Sequence, residues 1–188
     1  VACAADTDTS ALKVYQANHC PEVAFGSSIK EIIDSQIIIK KNQASLYYPP
    51  SIVDARIEKF VGEVDAVIAG PPCQGHSNLN NHTRRDDVRN ALYPTALEIA
   101  LALESRAILI ENVPAVLHDR YQSVQICCEI LKTEGWRFDS GVISADWIGW
   151  PQTRNRHFLA GLANGKLAKF NEVTAALRQP PRSLGWLI

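Results

Sequence analysis

Asp65-Ala66-Val67-Ile68-Ala69-Gly70-Pro71-Pro72-Cys73-Gln74-Gly75 is an apolar run of strand length that stops on Gly-Pro-Pro and then presents a cysteine. Each proline fixes its own φ and biases the residue before it towards extended backbone, so Cys73 has few conformations open to it. Gly70 and Gly75 permit close approach of a ligand or a neighbouring chain. Working outward, two more apolar runs end on polar residues: Val1 to Ala5 runs into Asp6, and Ala107-Ile108-Leu109-Ile110 runs into Glu111-Asn112. Strands of this kind alternate with segments of helical period, the signature of an α/β sheet. Ligands of such sheets gather at the carboxyl ends of the strands. Asp6, Cys73 and Glu111 are therefore expected along one rim. One helix separates the strands of Cys73 and Glu111, so a right-handed crossover makes those strands neighbours.

The remaining elements follow from local signals. A helix is expected from Ser10 to Asn18, and Ser28 with Glu31 reads as a capping box for another near Ile29 to Ile38. Lys40 to Pro50 reads as a polar loop, and Ser51 with Asp54 caps a short helix ending near Phe60. Val64 to Ala69 is expected as a buried strand, followed by a long loop from Gly70 to Asn90 of the kind that carries function. Pro94 suits the first turn of a helix reaching Glu104, and Tyr121 to Glu134 reads as another. Trp136 to Ala145 and Arg156 to Leu162 are two further strands, read as antiparallel. The segment from Ala163 to Ile188 is weakly patterned.

Composition narrows the class. The chain has 188 residues, 46% hydrophobic and 21% charged, enough for one sizeable core. No stretch is both apolar and long enough to cross a bilayer. The five cysteines are an odd count and form no C-x-x-C pair, which argues for an intracellular, reduced protein and against a structural zinc. Cys3, Cys20, Cys127 and Cys128 read as buried structural thiols. The net charge of −1 does not advertise nucleic-acid binding, so that reading rests on motifs. The chain contains no methionine and opens on Val1 inside a strand, so it is expected to be an internal piece of a longer protein.

Cys73 at a sheet rim is placed as a nucleophile. A thiolate attacking an electron-poor ring builds negative charge on that ring, so a carboxyl group is wanted opposite. Glu111 has that position; a Glu closing an apolar strand is rarely mere packing, and partial burial favours its neutral form. Asn112 could orient it. Gln152, Arg154 and Arg156 are spaced two apart, which puts them on one face of an extended segment and suits fixed hydrogen bonds to a base edge or phosphate. Asp6, at a strand end opening a helix, stands where nucleotide-binding α/β folds hold ribose hydroxyls.

Pro-Pro-Cys-Gln, Glu-Asn-Val and Gln-x-Arg-x-Arg, in this order, resemble the cytosine-5 DNA methyltransferases over most of Val1 to Leu162. The resemblance implies a Rossmann-like S-adenosylmethionine-dependent methyltransferase sheet. That sheet is mostly parallel with an antiparallel edge, and it is incomplete, lacking the first strand, the target-recognition domain and the closing motifs. Residues 1–162 would be the partial catalytic domain and 163–188 a tail leading towards target recognition. It further implies double-stranded DNA with a flipped cytosine as substrate. Cys73 would attack C6, Glu111 would contact N3 and the amine, Arg156 would hold O2, and Arg154 would brace the pocket. Asp6, Thr7, Ser28 and Pro72 would line the cofactor, and Gln74, Ser77, Arg89, Asn112 and Gln152 would face the substrate. The cofactor's glycine-rich loop is absent from the quoted sequence, and His76 stands where a Phe is common. A tRNA substrate, or a fragment needing a partner chain, are the alternatives.

Overall fold

The structure, a computed structural model, describes residues 1–41, 43–72, 91–183 and 185. Cys73, Gln74, Ser77 and Arg89, with the expected loop from Gly75 to Asn90, lie outside the described residues.

A four-stranded sheet forms the centre, in the order β7-β8-β10-β9, from Ala66–Ala69 (β7), Ala107–Asn112 (β8), Arg137–Ser144 (β9) and Asn155–Leu162 (β10). Strands β7 and β8 are parallel, with Ala69 opposite Ile110. The crossover between them is the helix Leu92–Ala102 (α3), as expected from Pro94 in its first turn. Strand β10 runs antiparallel to both β8 and β9, so antiparallel pairing reaches further into the sheet than an edge. A second, parallel pair, Cys3–Ala5 (β1) and Val23–Phe25 (β2), is joined by the helix Thr9–His19 (α1).

Strand β8 explains the layering. Its burial alternates strictly: Ile108, Ile110 and Asn112 are buried, while Ala107, Leu109 and Glu111 are half-open. Ile108 and Ile110 pack under α3 and the helix Ser123–Thr133 (α4) with Leu97, Ala100, Ile130, Leu131 and Leu159. Helix α3 is apolar almost all round because it serves two cores. Its Ile99, Ala102 and Leu103 pack on Phe25, Ile32, Ile52, Ile57 and Phe60, a cluster that also takes in Cys3 and Val67. Helix α3 thus joins the cores of two sheets that are hydrogen-bonded separately.

Several expectations are corrected. The Ser28 cap begins only a 3₁₀ turn, Ile29–Glu31, with Ser28 Oγ accepting from Lys30 N. The isoleucines beyond it form Ile33–Asp34 (β3) and Ile37–Lys40 (β4), because β-branched side chains suit strands better than helix. The expected polar loop contains Gln43–Leu46 (β5), which forms a hairpin with β4. The Asp54 carboxylate caps Ala55–Glu58 (α2), but Ser51 lies in Ser51–Ile52 (β6), paired with β3. Strand β7 is not buried throughout: Ile68 is 79% exposed. Cys20 is exposed and ends α1 in a left-handed conformation, unlike Cys127, which is fully buried. The tail contains Phe170–Ala176 (α5), which the sequence pattern did not announce.

Candidate active site

The parallel register of β7 and β8 sets Glu111 and Asn112 beside the Gly70-Pro71 step, because Ala69 already faces Ile110. Glu111 belongs to the open row of β8 and Asn112 to the buried row, so the two side chains leave opposite faces. On the open side, Glu111 Oε1 lies 2.7 Å from Arg156 Nε. A Cβ built on Gly70 would sit 3.9 Å from Glu111 Oε2, so the glycine keeps the space beside the carboxylate open. The antiparallel register of β8 with β10 produces this pair: Phe158 faces Glu111, and Arg156 follows two residues along on the same face. The Glu111 carboxyl group is thus held by a guanidinium. Arg156 also donates from Nη1 to the carbonyl of Asn155 at 2.8 Å.

On the buried side, Asn112 Nδ2 donates to the carbonyl of Pro71 at 3.2 Å, and Asn112 Oδ1 accepts from Val113 N at 2.8 Å. The amide is 2% exposed and ties the end of β8 to the backbone two residues before Cys73. Through these contacts Asn112 links the ends of β8 and β7.

The comb of Gln152, Arg154 and Arg156 is only partly brought together. Strand β10 starts at Asn155, so Arg156 alone of the three is in the sheet. Gln152 and Arg154 are exposed on the approach to it. The Arg154 carbonyl accepts from Ala145 N at 3.1 Å, which closes the turn between β9 and β10 and fixes where both exposed side chains start.

Asp6 follows β1, and its Oδ1 accepts from Asp8 N at 2.8 Å within an exposed carboxylate. Asp8 in turn caps α1, accepting from Ser10 N and Ala11 N. Thr7 and Pro72 are exposed and Ser28 is half-buried. An exposed acid of this kind at a strand end fits a ribose diol, so the donor set suits the sugar of a nucleoside cofactor.

Sequence reading missed one buried group here. His157 faces Asn112 across the strands and is 0% exposed, with Nε2 2.9 Å from Ser140 Oγ. Burial lowers its pKa to about 4, so it is neutral. The signal available was a histidine beginning the otherwise apolar His-Phe-Leu-Ala-Gly-Leu strand.

With this geometry in hand, similarity to known proteins is decisive. The family profile described as C-5 cytosine-specific DNA methylase matches residues 1–183. The chain is 34% identical over 185 residues to type II methyltransferase M1.BsuMI of Bacillus subtilis, covering 98% of this chain and 41% of that protein. It is 33% identical over 163 residues to type II methyltransferase M.AgeI of Thalassovita gelatinovora, covering 86% of this chain and 34% of that one. Among solved structures, the Dnmt2 methyltransferase of S. pombe aligns with a TM-score of 0.60 at 15% identity, over 98% of this chain and 48% of its own. The Entamoeba histolytica methyltransferase EhMeth aligns at 0.55 and 22% identity, over 86% and 44%. The chain belongs to the C-5 cytosine-specific DNA methylases. It spans less than half the length of the relatives it matches. The family and fold imply use of S-adenosylmethionine.

Proposed function

We propose that the full-length protein is an intracellular DNA cytosine-5 methyltransferase, acting on a cytosine flipped out of duplex DNA. The observation that carries this reading is the Glu111–Arg156 pair, 2.7 Å apart, beside the strand end that leads into Pro71-Pro72-Cys73. A carboxyl group and a guanidinium on one face, beside the strand end from which the sequence runs on to Cys73, match the polar edge and the C6 atom of one pyrimidine.

In this reading the Cys73 thiolate adds to C6 of cytosine, and the electron pair of the C5–C6 bond moves into the ring towards N3. Glu111 contacts N3 and the exocyclic amine; Arg156, its ion-pair partner, takes O2. Arg154 and Gln152, exposed beside it, brace the base and its phosphate, and Gln74, Ser77 and Arg89 meet the strand around it. Asn112 acts by holding Pro71, and so the backbone from which Cys73 departs. When bound, S-adenosylmethionine supplies the electrophilic methyl group. Asp6 would hold its ribose, with Thr7, Ser28 and Pro72 around it. Loss of the C5 proton and of the Cys73 thiolate from C6 restores the aromatic ring. Base flipping costs a few kcal/mol of unstacking, offset by the pocket contacts. Residues 1–162 form the catalytic part, and 163–188, with α5, lead towards target recognition.

The test is methyl transfer from labelled S-adenosylmethionine by the full-length protein, with duplex DNA and bulk tRNA as separate substrates. Label at C5 of cytosine in DNA, lost in Cys73→Ser, supports the reading. Label in tRNA alone changes the substrate, and no label from a folded protein moves the case to a partner-dependent subunit.

A further inference from the structure

Behind the Glu111–Arg156 pair, on the opposite face of the same strands, lies a polar pair that methyl transfer does not use. Tyr93 sits in the first turn of α3 and is 1% exposed; His157 on β10 is 0% exposed. Their ring centroids are 6.5 Å apart at 44°, and among the described residues neither Tyr93 Oη nor His157 Nδ1 has a hydrogen-bond partner. The other imidazole nitrogen is occupied by Ser140 Oγ. Tyr93 belongs to the same buried cluster as Leu97, Ile110, Val116 and Leu159, and Cys127, Cys128 and Asp119 lie near enough to act on its hydroxyl. Asn112 stands opposite His157, and its amide has a second hydrogen beyond the one given to Pro71.

A buried polar atom left unpaired keeps the full penalty of its lost hydration, and two neighbours left unpaired in one core would compound that cost. A phenol and an imidazole nitrogen are complementary whichever tautomer His157 adopts, since Tyr93 Oη both donates and accepts. Buried waters characteristically occupy sites with two to four such partners.

We infer that Tyr93 Oη and His157 Nδ1 share one buried water, and that this bridge is a positioning device. It fixes the first turn of α3 to the strand end where Asn112 holds Pro71. Tyr93 and His157 touch no reacting atom; they act through the placement of Asn112 and β8. The catalytic half of the inference rests on the methyltransferase reading, whereas the water site does not.

The experiment compares Tyr93→Phe, His157→Asn and His157→Gln in the full-length protein by thermal melting and by steady-state methylation. Asn places a polar atom where Nδ1 stood, and Gln where Nε2 stood. If the water bridge exists, Tyr93→Phe lowers the Tm by about 2 °C or more, and His157→Asn melts above His157→Gln. That advantage of Asn disappears in the Tyr93→Phe background. A Tyr93→Phe protein that melts at or above wild type, or an Asn advantage indifferent to Tyr93, overturns the water site. For the positioning role, Tyr93→Phe is expected to lower kcat about fivefold with both KM values unchanged. Unchanged kcat overturns that role. Melting requires no turnover, so absence of methylation in wild type moves the case to a partner-dependent subunit and leaves the bridge to be decided by Tm alone.

Discussion

The two ends of the candidate site are built differently. Around Glu111 the contacts join residues far apart in sequence: Arg156 reaches Glu111 across β8 and β10, and Asn112 reaches Pro71 across β8 and β7. Around Asp6 the side-chain bonds are local, Asp6 to Asp8 and Asp8 to Ser10 and Ala11, and the surface is open. The first end is a rigid wall whose geometry the sheet dictates; the second is a cap whose geometry a few adjacent residues dictate. Changes at the wall should damage catalysis, whereas changes at the cap should weaken binding and leave the chemistry intact.

The strongest test of that contrast is the nucleophile. Cys73→Ser in the full-length protein should lower kcat by at least ~10⁴-fold while DNA affinity in a gel-shift titration changes little; turnover near wild type sinks the wall as a catalytic unit. Next, Arg156→Ala should cost about 10²-fold in kcat/KM, the scale for losing one fixed donor to developing charge. Arg156→Lys should recover only part of this, because an ammonium lacks the planar fork.

Third comes acid stability. His157 is held neutral when folded with a pKa of about 4, against about 6.5 when unfolded. The unfolded chain therefore binds the extra proton between those values, and stability falls as pH drops from about 6.5 towards 4. The loss should be about 2 kcal/mol between pH 6.5 and 5, measured by urea denaturation, and should shrink in His157→Gln. A pH-independent difference between wild type and variant would contradict a buried neutral imidazole. The smallest effect belongs to the cap. Asp6→Asn should raise the dissociation constant for S-adenosylmethionine about tenfold in calorimetry, near 1.4 kcal/mol, with kcat at saturation nearly unchanged. A large fall in kcat would erase the distinction between the two ends.

Most of the wall was legible because its elements carry strong signals. An apolar run ending in Gly-Pro-Pro announces β7 and its stop, and Ala-Ile-Leu-Ile-Glu-Asn announces β8 and the two polar residues at its rim. The pairing of Glu111 with Arg156 was foreseeable as proximity but not as contact, since it depends on the register of β10 against β8. Register is set by tertiary packing: a Cβ on Gly161 would lie 3.0 Å from Ile108 Cγ2 and 3.2 Å from Leu131 Cδ2, so this glycine fits β10 closely against β8 and α4. The Ile29 to Ile39 stretch misled because a capping signal was followed by isoleucines whose branched side chains favour strands. Tyr93 and His157 escaped because their partnership links residues 64 apart in sequence, one on a helix and one on a strand.

The antiparallel junction of β10 with both β8 and β9 also carries an order of events. Strands β9 and β10 are joined by a short turn, whereas β7 and β8 meet only after the chain from Ala69 to Ala107 has closed on itself. Closing the shorter connection loses less entropy, and local pairings form sooner than distant ones. As the polypeptide folds, the hairpin bearing Arg156 can therefore stand first as a template, Glu111 is fastened to it next, and β7 docks last onto a wall already charged to receive it.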